Sequence, residues 1–375
     1  MTPADDARET SPGPAAALLA AIDGGSARLG VIGLGYVGLP LARAFAGARF
    51  PVTGFDIDPA KIVRLNQGRS YFRHIPDREI ASLLECGRFA ATGDYARLAD
   101  CDVILICVPT PLAANREPDL SYVERTAEAI ARHLRPGQLV VLESTTYPGT
   151  TRGVLRPILE RSGLEAGRDF FLAFAPERED PGNRTYGTVD MPKVVGADDA
   201  DSLALVRRLY DRVMAATIPV RDSATAEATK LTENVFRAVN IALANELKVI
   251  YDAMGIDVWE VIEAAKTKPF GYMPFYPGPG LGGHCIPIDP FYLAWKAKQS
   301  GIATRFIELA GEINRAMPAY VVARLASALM ERSGRALDGA TVLVLGLAYK
   351  KNVDDLRESP ALTLIELLES KGAAT

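Results

Sequence analysis

A glycine-rich turn between an apolar strand and a helix is the feature that most limits the fold of this chain. Gly33, Gly35 and Gly38 lie in the segment GLGYVG, after the apolar run Leu29–Gly33 and before the helical pattern Leu39–Ala46. Glycines at this spacing permit a tight turn, close approach of the backbone to a pyrophosphate, and close contact between strand and helix. The pattern predicts a strand, turn and helix that bind a dinucleotide at the helix N-terminus.

An acidic residue follows the next predicted strand. Asp56 ends the apolar run Val52–Asp56, where a carboxylate can accept a hydrogen bond from a ribose 2′-hydroxyl. The same carboxylate would repel a 2′-phosphate, so the sequence favours NAD over NADP. A structural glycine turn without a ligand is the alternative.

Short apolar runs alternate with longer helical segments from Arg28 to about residue 220. Strands buried on both faces have this apolar character, and the alternation predicts a parallel α/β sheet. The further predicted strands are Val103–Val108, Leu139–Glu143, Phe170–Ala175, Val194–Gly196 and Ile218–Val220.

The pattern becomes helical at about Ala224 and continues through Met254 without glycine or proline. A helix of this length is longer than most globular helices, and such a helix usually packs against a second subunit or lies between two domains. We expect the chain to form a homodimer or a higher homo-oligomer. Proline, glycine and aromatic residues are frequent in Pro269–His284, which is typical of an ordered functional loop. Further helices are predicted at Asp257–Ala265, Pro290–Lys298, Thr304–Ala316 and Ala319–Glu331.

A third region starts at Leu337, with a strand predicted at Thr341–Gly346 and a helix that reaches about Lys371. One strand and one helix cannot form a parallel sheet, because the strand has no partner for its backbone groups. We therefore expect a truncated domain, whose further strand–helix units would follow Thr375.

Length and composition limit the remaining classes. A chain of 375 residues is expected to form two or three domains, and a net charge of −4 without a basic tract gives no reason to expect nucleic acid as a partner. Cys86, Cys101, Cys107 and Cys285 lack the spacing of a disulfide framework or a zinc site, and Cys101 and Cys107 are predicted to be buried. No apolar run approaches the ~20 residues of a membrane span. These features predict a cytoplasmic protein that holds no metal and does not bind a membrane.

Polar residues at the ends of predicted strands are site candidates, because ligands bind at the carboxyl ends of parallel strands. Glu177 follows one such strand, and both a solvated loop acid and a general base are consistent with its position. Lys230, Asn234 and Arg237 have the spacing of one helix face among apolar neighbours. They form either a solvated edge or a row of donors suited to a diphosphate sugar or a developing oxyanion.

The cysteine in the proline- and glycine-rich region has two interpretations. Cys285 follows two glycines that would let a ligand approach the backbone, and Asp289 is the predicted N-cap of a helix with Pro290 at its first position. Cys285 is either a small buried residue or, within reach of Lys230, a reactive thiolate nucleophile.

Taken in order from Leu29 to about Gly372, these motifs closely resemble the UDP-glucose/GDP-mannose dehydrogenase family. The resemblance implies an α/β fold with an N-terminal Rossmann-like NAD domain, a central all-helical dimerisation domain and the start of a second Rossmann-like UDP-binding domain. The expected segments are a flexible arm at 1–27, the NAD domain at 28–222, the central domain at 223–318, and a linker helix with the incomplete domain at 319–375.

Two segments, Glu177–Asn183 and Thr267–Leu293, look most like those of enzymes that oxidise UDP-N-acetylglucosamine. UDP-glucose enzymes usually carry an arginine before the glycine-rich loop and GGSC within it. This chain has Lys268 and His284 there, which weakens a UDP-glucose assignment.

The resemblance also implies residue roles. The expected catalytic residues are the nucleophile Cys285, the oxygen-stabilising Lys230 and Asn234, the acid–base group Glu177, and Asp289, which orients the cysteine or the hydrolytic water. The expected NAD-binding residues are Gly33, Gly35, Tyr36, Val37, Gly38, Asp56, Lys61, Thr110 and Thr145. The expected UDP-sugar-binding residues are Arg178, Arg237, Gly282, Tyr349, Lys350 and Arg357.

The resemblance implies oxidation of the C6 alcohol of UDP-N-acetylglucosamine to a carboxylate for surface-polysaccharide synthesis. Two NAD would be reduced per sugar, through a thiohemiacetal and a thioester on Cys285. UDP-N-acetylmannosamine and UDP-glucose are the alternative substrates. A two-electron dehydrogenase of the hydroxyacid type and an inactive NAD-binding remnant are the alternatives from other classes.

Overall fold

A computed structural model of the chain describes residues 13–72, 75–113, 115–178, 187–283, 286–353 and 355–375. The chain divides into two compact units, one formed by Met1–Thr110 and Leu120–Ala228, the other by Pro111–Asp119 and Thr229–Thr375. Of the predicted N-terminal arm, residues 1–12 lie outside the described residues. The short helix predicted at its end is α1 (Pro14–Gly24).

One largely parallel sheet organises the first unit, as the alternation of apolar runs predicts. Its strands are β1 (Leu29–Ile32), β2 (Val52–Phe55), β3 (Phe89–Thr92), β4 (Val103–Ile106), β5 (Leu139–Leu142), β6 (Phe171–Phe174), β7 (Lys193–Ala197) and β8 (Thr217–Val220). The order across the sheet is β3-β2-β1-β4-β5-β6-β7-β8, and only the β6–β7 pair is antiparallel. β3 was not predicted, because this edge strand carries a single large apolar residue, Phe89.

Helices cover both faces of the sheet. They are α1, α2 (Gly38–Gly47), α3 (Pro59–Asn66), α4 (Asp77–Glu85), α5 (Ser121–Ala131), α6 (Arg156–Leu159) and α7 (Ala200–Asp211). In β4, Val103 and Leu105 join one apolar core and Ile104 and Ile106 join the other, so every residue of the strand is buried. β1, β5 and β6 are likewise buried at every residue, and burial on both faces is the physical reason that these strands have no alternating polar residues. Cys101 and Cys107 are buried here, as predicted.

Helices organise the second unit. They are α8 (Ser223–Met254), which belongs to this unit from Thr229, α9 (Val258–Ala265), α10 (Asp289–Gln299), α11 (Arg305–Ser333) and α12 (Pro360–Ser370). The prediction of two helices on either side of Pro318 was wrong, because α11 is continuous through it. Pro318 is buried, and packing of the helix outweighs the roughly 3 kcal/mol that an interior proline costs an isolated helix.

The predicted strand Thr341–Gly346 was also wrong. All of these residues are described, and among them only Thr341 forms a bridge, a single parallel one to Ala374. Leu343 and Leu345 are 82% and 86% exposed. A strand needs a neighbour for its backbone groups, and within the described residues this segment has one for a single residue only. The helix predicted to follow is α12.

None of the helices in the described part of the chain is long and apolar enough to cross a membrane.

Candidate active site

The glycine turn after β1 has the geometry of a dinucleotide cradle. Gly33 has φ +89°, and a Cβ at this position would lie 2.5 Å from the carbonyl oxygen of Cys107. A Cβ at Gly38 would lie 1.8 Å from the carbonyl oxygen of Gly33. At Gly35 a Cβ would meet no protein atom within 4 Å. Gly33 and Gly38 therefore permit the close packing of strand and helix, whereas Gly35 leaves open space beside the backbone for a phosphate.

Asp56 lies directly after β2, and its carboxylate is held in place by three donors. The backbone N–H of Leu34 and the Lys61 ammonium donate to Oδ2 at 2.9 and 3.1 Å, and the N–H of Asp58 donates to Oδ1 at 2.9 Å. Tyr71 closes this corner by donating to the carbonyl of Leu34, and burial raises the pKa of its hydroxyl. The glycine cradle and a fixed carboxylate at this edge together fit NAD.

The other predicted cofactor residues lie in the same unit. The rings of Tyr36 and Phe72 are 4.5 Å apart between centroids, and Val37 immediately precedes α2. Thr110 is buried after β4, and Thr145 is half-buried after β5. Because β1, β4 and β5 are parallel neighbours, their carboxyl ends share the sheet edge at which the glycine turn lies.

A buried ion cluster surrounds the acid–base candidate Glu177. The Lys193 ammonium donates to Glu143 Oε2 at 2.6 Å and to Glu177 Oε2 at 3.1 Å. Tyr210 donates its hydroxyl to Glu143 Oε1. Burial raises the pKa of Glu143 to about 7, although the ammonium of Lys193 opposes this shift. Burial acts to lower the pKa of Lys193, but the two carboxylates outweigh it and raise that pKa above its usual value.

Arg178 follows Glu177 in the chain, and its guanidinium group contacts a backbone carbonyl. Its backbone N–H donates to Glu177 Oε1 at 2.7 Å, and its Nη1 donates to the carbonyl of Pro192 at 2.7 Å. The part of the predicted motif that follows, residues 179–183, lies outside the described residues.

In the second unit, α8 and the start of α10 hold a cluster of charged and amide groups. Asn234 donates from Nδ2 to Asp289 Oδ2 and accepts from Arg237 on Oδ1. Lys230 and Asn234 are 6% and 0% exposed, and Asp289 is 3% exposed. The predicted stripe on one helix face is therefore buried, and the solvated-edge alternative does not apply to Lys230 and Asn234.

The prediction that Asp289 caps its helix was wrong. Ile288 occupies the N-cap position without a side-chain hydrogen bond, and Asp289 is the first helical residue. Its carboxylate accepts from Asn234 instead of from a backbone N–H. Burial raises the pKa of Asp289 to about 6, against the opposing effects of Lys230, Asn234 and Arg237.

Two buried asparagines fix the proline- and glycine-rich loop. Asn245 accepts from the backbone N–H of Gly278 at 2.9 Å and donates to Asn314 Oδ1 at 2.9 Å. Asn314 in turn donates to the carbonyl of Ala238 at 3.1 Å. These bonds join the loop to α8 and α11, so the loop is an ordered part of the second unit.

The glycines before Cys285 have a different neighbour from the one expected. A Cβ at Gly282 would lie 2.5 Å from Cβ of Tyr349, and one at Gly283 would lie 2.7 Å from the Tyr349 ring. Gly283 also donates its N–H to the carbonyl of Arg357 at 3.0 Å. The space beside these glycines is therefore occupied by Tyr349. This packing brings together three of the predicted UDP-sugar-binding residues, Gly282, Tyr349 and Arg357.

The remaining substrate candidates belong to the same group. Arg357 donates from Nε and Nη2 to the carboxylate of Asp355, at 3.0 and 2.6 Å. The Lys350 ammonium lies 5.9 Å from the centroid of the Tyr349 ring. Cys285 and His284 lie outside the described residues, so the expected proximity of Cys285 to Lys230 stays a prediction.

Several residues that organise these groups were not identified from the sequence, namely Glu143, Lys193, Tyr210, Asn245, Asn314 and Asp355. Some carried a signal. Lys193 opens an otherwise apolar strand, and Asn245 lies eleven residues after Asn234, three helical turns along one face. Tyr210 and Asn314 gave no such signal, because their partners are far away in the chain.

Comparison with known proteins gives a consistent assignment. The chain matches the UDP-glucose/GDP-mannose dehydrogenase family in its NAD binding domain over residues 27–214, in its central domain over 224–316 and in its UDP binding domain over 343–375.

The chain is 39% identical over 343 residues to UDP-N-acetyl-D-glucosamine 6-dehydrogenase of Pseudomonas aeruginosa, which covers 91% of this chain and 80% of that protein. The structure of UDP-D-ManNAc dehydrogenase from Pyrococcus horikoshii superposes with a TM-score of 0.86 at 38% identity, covering 92% and 82% of the two chains. A UDP-glucose dehydrogenase from Pyrobaculum islandicum gives 0.84 at 34% identity, covering 93% and 80%. The chain therefore belongs to the UDP-glucose/GDP-mannose dehydrogenase family of NAD-dependent oxidoreductases.

Proposed function

We propose that this protein oxidises the C6 alcohol of UDP-N-acetylglucosamine to a carboxylate, with Cys285 as the covalent nucleophile. The observation that carries the proposal is the buried group of Lys230, Asn234 and Asp289, of which Asp289 lies four positions after Cys285 in the chain. A dehydrogenase that performs a single hydride transfer has no need of a cysteine in such a loop.

The charges of this group suit an oxygen that becomes negative. Lys230 and Arg237 contribute two positive charges and ionised Asp289 contributes one negative charge, so the group keeps a net charge of +1 even above a pH of about 6, where Asp289 is ionised. Donors that are already in place when the charge develops stabilise it without further reorganisation. The amine of Lys230 and the amide of Asn234 would hold the oxygen at C6 in both oxidation steps.

NAD, when bound, accepts the one hydride that leaves C6 in each oxidation step, so two NAD are reduced per sugar. The proposed steps on this chain begin with removal of the hydroxyl proton as the first hydride leaves, which gives an aldehyde. The Cys285 thiolate then adds to the aldehyde carbon and its oxygen takes up a proton, which gives a thiohemiacetal that can lose the second hydride. The resulting thioester is cleaved by water, which releases the carboxylate and returns the thiol.

Glu177 would activate the water of the last step. Its carboxylate is 9% exposed and is bonded to Lys193, which favours the ionised form that a base requires. In this proposal Asp289 orients Cys285 or the attacking water. The predicted contacts of Arg178, Arg237, Gly282, Tyr349, Lys350 and Arg357 to the UDP-sugar are part of the same proposal.

The choice of sugar follows the relatives. The Pseudomonas aeruginosa relative is named for UDP-N-acetyl-D-glucosamine, and Lys268 and His284 stand where UDP-glucose enzymes usually have arginine and serine. The relative of nearly equal identity is named for the mannosamine epimer. These sugars differ at C2, so a few contacts decide between them.

The test is the number of NADH formed per sugar. We expect purified full-length chain to form two NADH per UDP-N-acetylglucosamine, and to prefer it over UDP-N-acetylmannosamine and UDP-glucose in kcat/KM. Cys285→Ser should stop the reaction after one NADH or abolish it, whereas Cys86→Ser, at an exposed thiol, should behave as wild type. One NADH per sugar in the wild type would indicate a two-electron dehydrogenase. NAD binding without any turnover would indicate a binding remnant.

We also propose a homodimer formed through α8. Phe236, Leu243, Ile250 and Met254 are 45–64% exposed along this helix, and the first three are spaced by seven residues, which places them on one face. An exposed apolar stripe of this kind is typical of an interface between subunits. Light scattering should give the mass of a dimer or a higher oligomer, and a monomer would contradict the proposal.

A further inference from the structure

The ion cluster of Glu143, Lys193, Glu177 and Tyr210 holds two carboxyl groups and one ammonium in a buried part of the first unit. Glu143 follows β5, Glu177 follows β6, Lys193 begins β7 and Tyr210 lies in α7, so four elements converge on it. Glu143 and Lys193 are 1% and 3% exposed. Two ionised carboxylates on either side of one buried ammonium repel each other, which favours binding of one proton.

The groups around the cluster identify where that proton resides. Burial raises the pKa of Glu143 to about 7, and the neighbouring carboxylate of Glu177 adds to the shift. Cys107 at the end of β4 faces the same groups, and burial raises the pKa of its thiol, so it stays neutral. Lys193 stays charged, because both carboxylates raise its pKa. Glu143 is therefore the group that changes its charge near neutral pH.

The two carboxyl groups of the cluster differ in their exposure. Glu177 is 9% exposed and is the acid–base candidate, whereas Glu143 is 1% exposed. Tyr210 donates to Oε1 of Glu143, which leaves Oε2 for the Lys193 ammonium at 2.6 Å. The ammonium lies 3.1 Å from Glu177 Oε2 on its other side. Lys193 is thus within hydrogen-bond distance of a carboxylate oxygen on each side.

We propose that Glu143 is a positioning residue that stores the proton which Glu177 removes during the reaction, and that Lys193 carries it between them. The proposal rests on the acid–base role proposed for Glu177. Protonated Glu177 gives its proton to Nζ of Lys193 while Nζ gives one of its own to Oε2 of Glu143. The ammonium is unchanged, Glu177 is again a carboxylate, and Glu143 is neutral. No electron is transferred and no co-reactant is needed.

This relay gives the rate a pH dependence with a definite sign. Glu143 can accept a proton only while it is ionised. It is therefore able to accept one above a pH of about 7, and it is already protonated below that pH. Wild-type kcat is expected to rise as the pH increases from 6 to 8. Because the two carboxylates share one ammonium, the apparent pKa of this rising limb of the pH–rate profile belongs to the coupled pair.

The test is Glu143→Gln in the full chain, assayed with NAD and UDP-N-acetylglucosamine between pH 6 and 8. Glutamine keeps an oxygen for Lys193 but cannot store a proton. We expect kcat at pH 8 to fall about ten-fold, the typical lower range for a proton-transfer group, with the ratio to wild type approaching one at pH 6 and KM unchanged. Glu128→Gln, on an exposed helix position, is the matched control. An equal loss at both pH values would overturn the proposal.

Two further measurements cover the remaining outcomes. Tyr210→Phe removes the donor to Glu143 and should move the limb to higher pH by on the order of 1 unit; it carries the test if Glu143→Gln fails to fold. Infrared titration without substrate, taken as the wild-type spectrum minus that of Glu143→Gln, should show a protonated buried carboxyl that loses its proton near pH 7. Glu227, whose pKa burial also raises to about 7, is common to both proteins and cancels. If the wild type oxidises no UDP-sugar, the proposed function fails, while the infrared band still decides whether Glu143 holds the proton. A wild type without that band would overturn the proton store.

Discussion

Asp289→Asn is expected to change the stability of the second unit and the catalytic rate in opposite directions. The Asp289 carboxyl is buried at the start of α10 and accepts from Asn234. Burial raises its pKa to about 6, from an ordinary value of 3.8. Asparagine has nearly the same shape and keeps an oxygen for Asn234, so the substitution removes the charge and little else.

The magnitude follows from that shift of roughly two units, at about 1.4 kcal/mol per unit. A carboxyl whose pKa is higher in the folded than in the unfolded state holds its proton more tightly when folded. The folded wild type therefore loses stability as the pH rises from 4 to above 6. The free energy of unfolding of Asp289→Asn, minus that of wild type, should grow by about 2 kcal/mol between pH 4 and pH 7, because the unfolded carboxyl is already partly ionised at pH 4.

Urea denaturation followed by tryptophan fluorescence measures this difference in the correct part of the molecule. The chain has two tryptophans, Trp259 and Trp295, and both belong to the second unit with Asp289. The control is Asp252→Asn in the same unit. Hydrogen bonds from Lys248 and Tyr320 lower the pKa of Asp252, so this difference should have the opposite dependence on pH.

A difference for Asp289→Asn that stays flat from pH 4 to pH 7 would refute the reasoning, because it would mean that the folded protein does not oppose ionisation of this carboxyl. Activity completes the experiment. We expect kcat of Asp289→Asn to fall at least ten-fold at pH 8 although the unit is more stable there, as is common where function requires an unfavourable buried charge.

Four further substitutions have expected outcomes. Gly35→Ala should raise the Kd for NAD at least ten-fold in calorimetry without changing Tm, because a Cβ there meets no protein atom but occupies the phosphate space; Gly38→Ala should also lower Tm, because its Cβ would lie 1.8 Å from a backbone oxygen. The free energy of unfolding of Glu227→Gln, minus that of wild type, should grow by about 3 kcal/mol between pH 4 and pH 8 in urea denaturation followed by circular dichroism, because burial raises the pKa of this carboxyl to about 7 despite its three hydrogen-bond donors, and glutamine carries no charge. Asn245→Leu should lower Tm and reduce kcat about ten-fold, because it leaves the N–H of Gly278 without its acceptor; an unchanged kcat would show that the loop needs no such bond.

Local sequence determined the parallel sheet and the place of its ligand. Strands buried on both faces must be apolar throughout, and a turn with the φ of Gly33 requires glycine. The long helix α8 was equally clear, because thirty-two residues follow one another without glycine or proline. Two predictions of secondary structure were wrong. α11 continues through Pro318 because packing of the helix outweighs the local preference, and Thr341–Gly346 is not a strand because, within the described residues, it forms only one bridge to a distant residue.

The sequence by itself determined which residues can carry chemistry, since a cation, an amide and a carboxylate at helical and strand-end spacing limit what the site can do. Only the tertiary structure decided what each of them touches. Asp289 turned out to bond Asn234 rather than cap its helix, and Glu177 proved to share Lys193 with Glu143, a partner 34 positions before it in the chain. The physical reason is that burial and charge pairing depend on which elements the fold brings together. Those interactions set the protonation of a carboxyl, and spacing along the chain does not contain them.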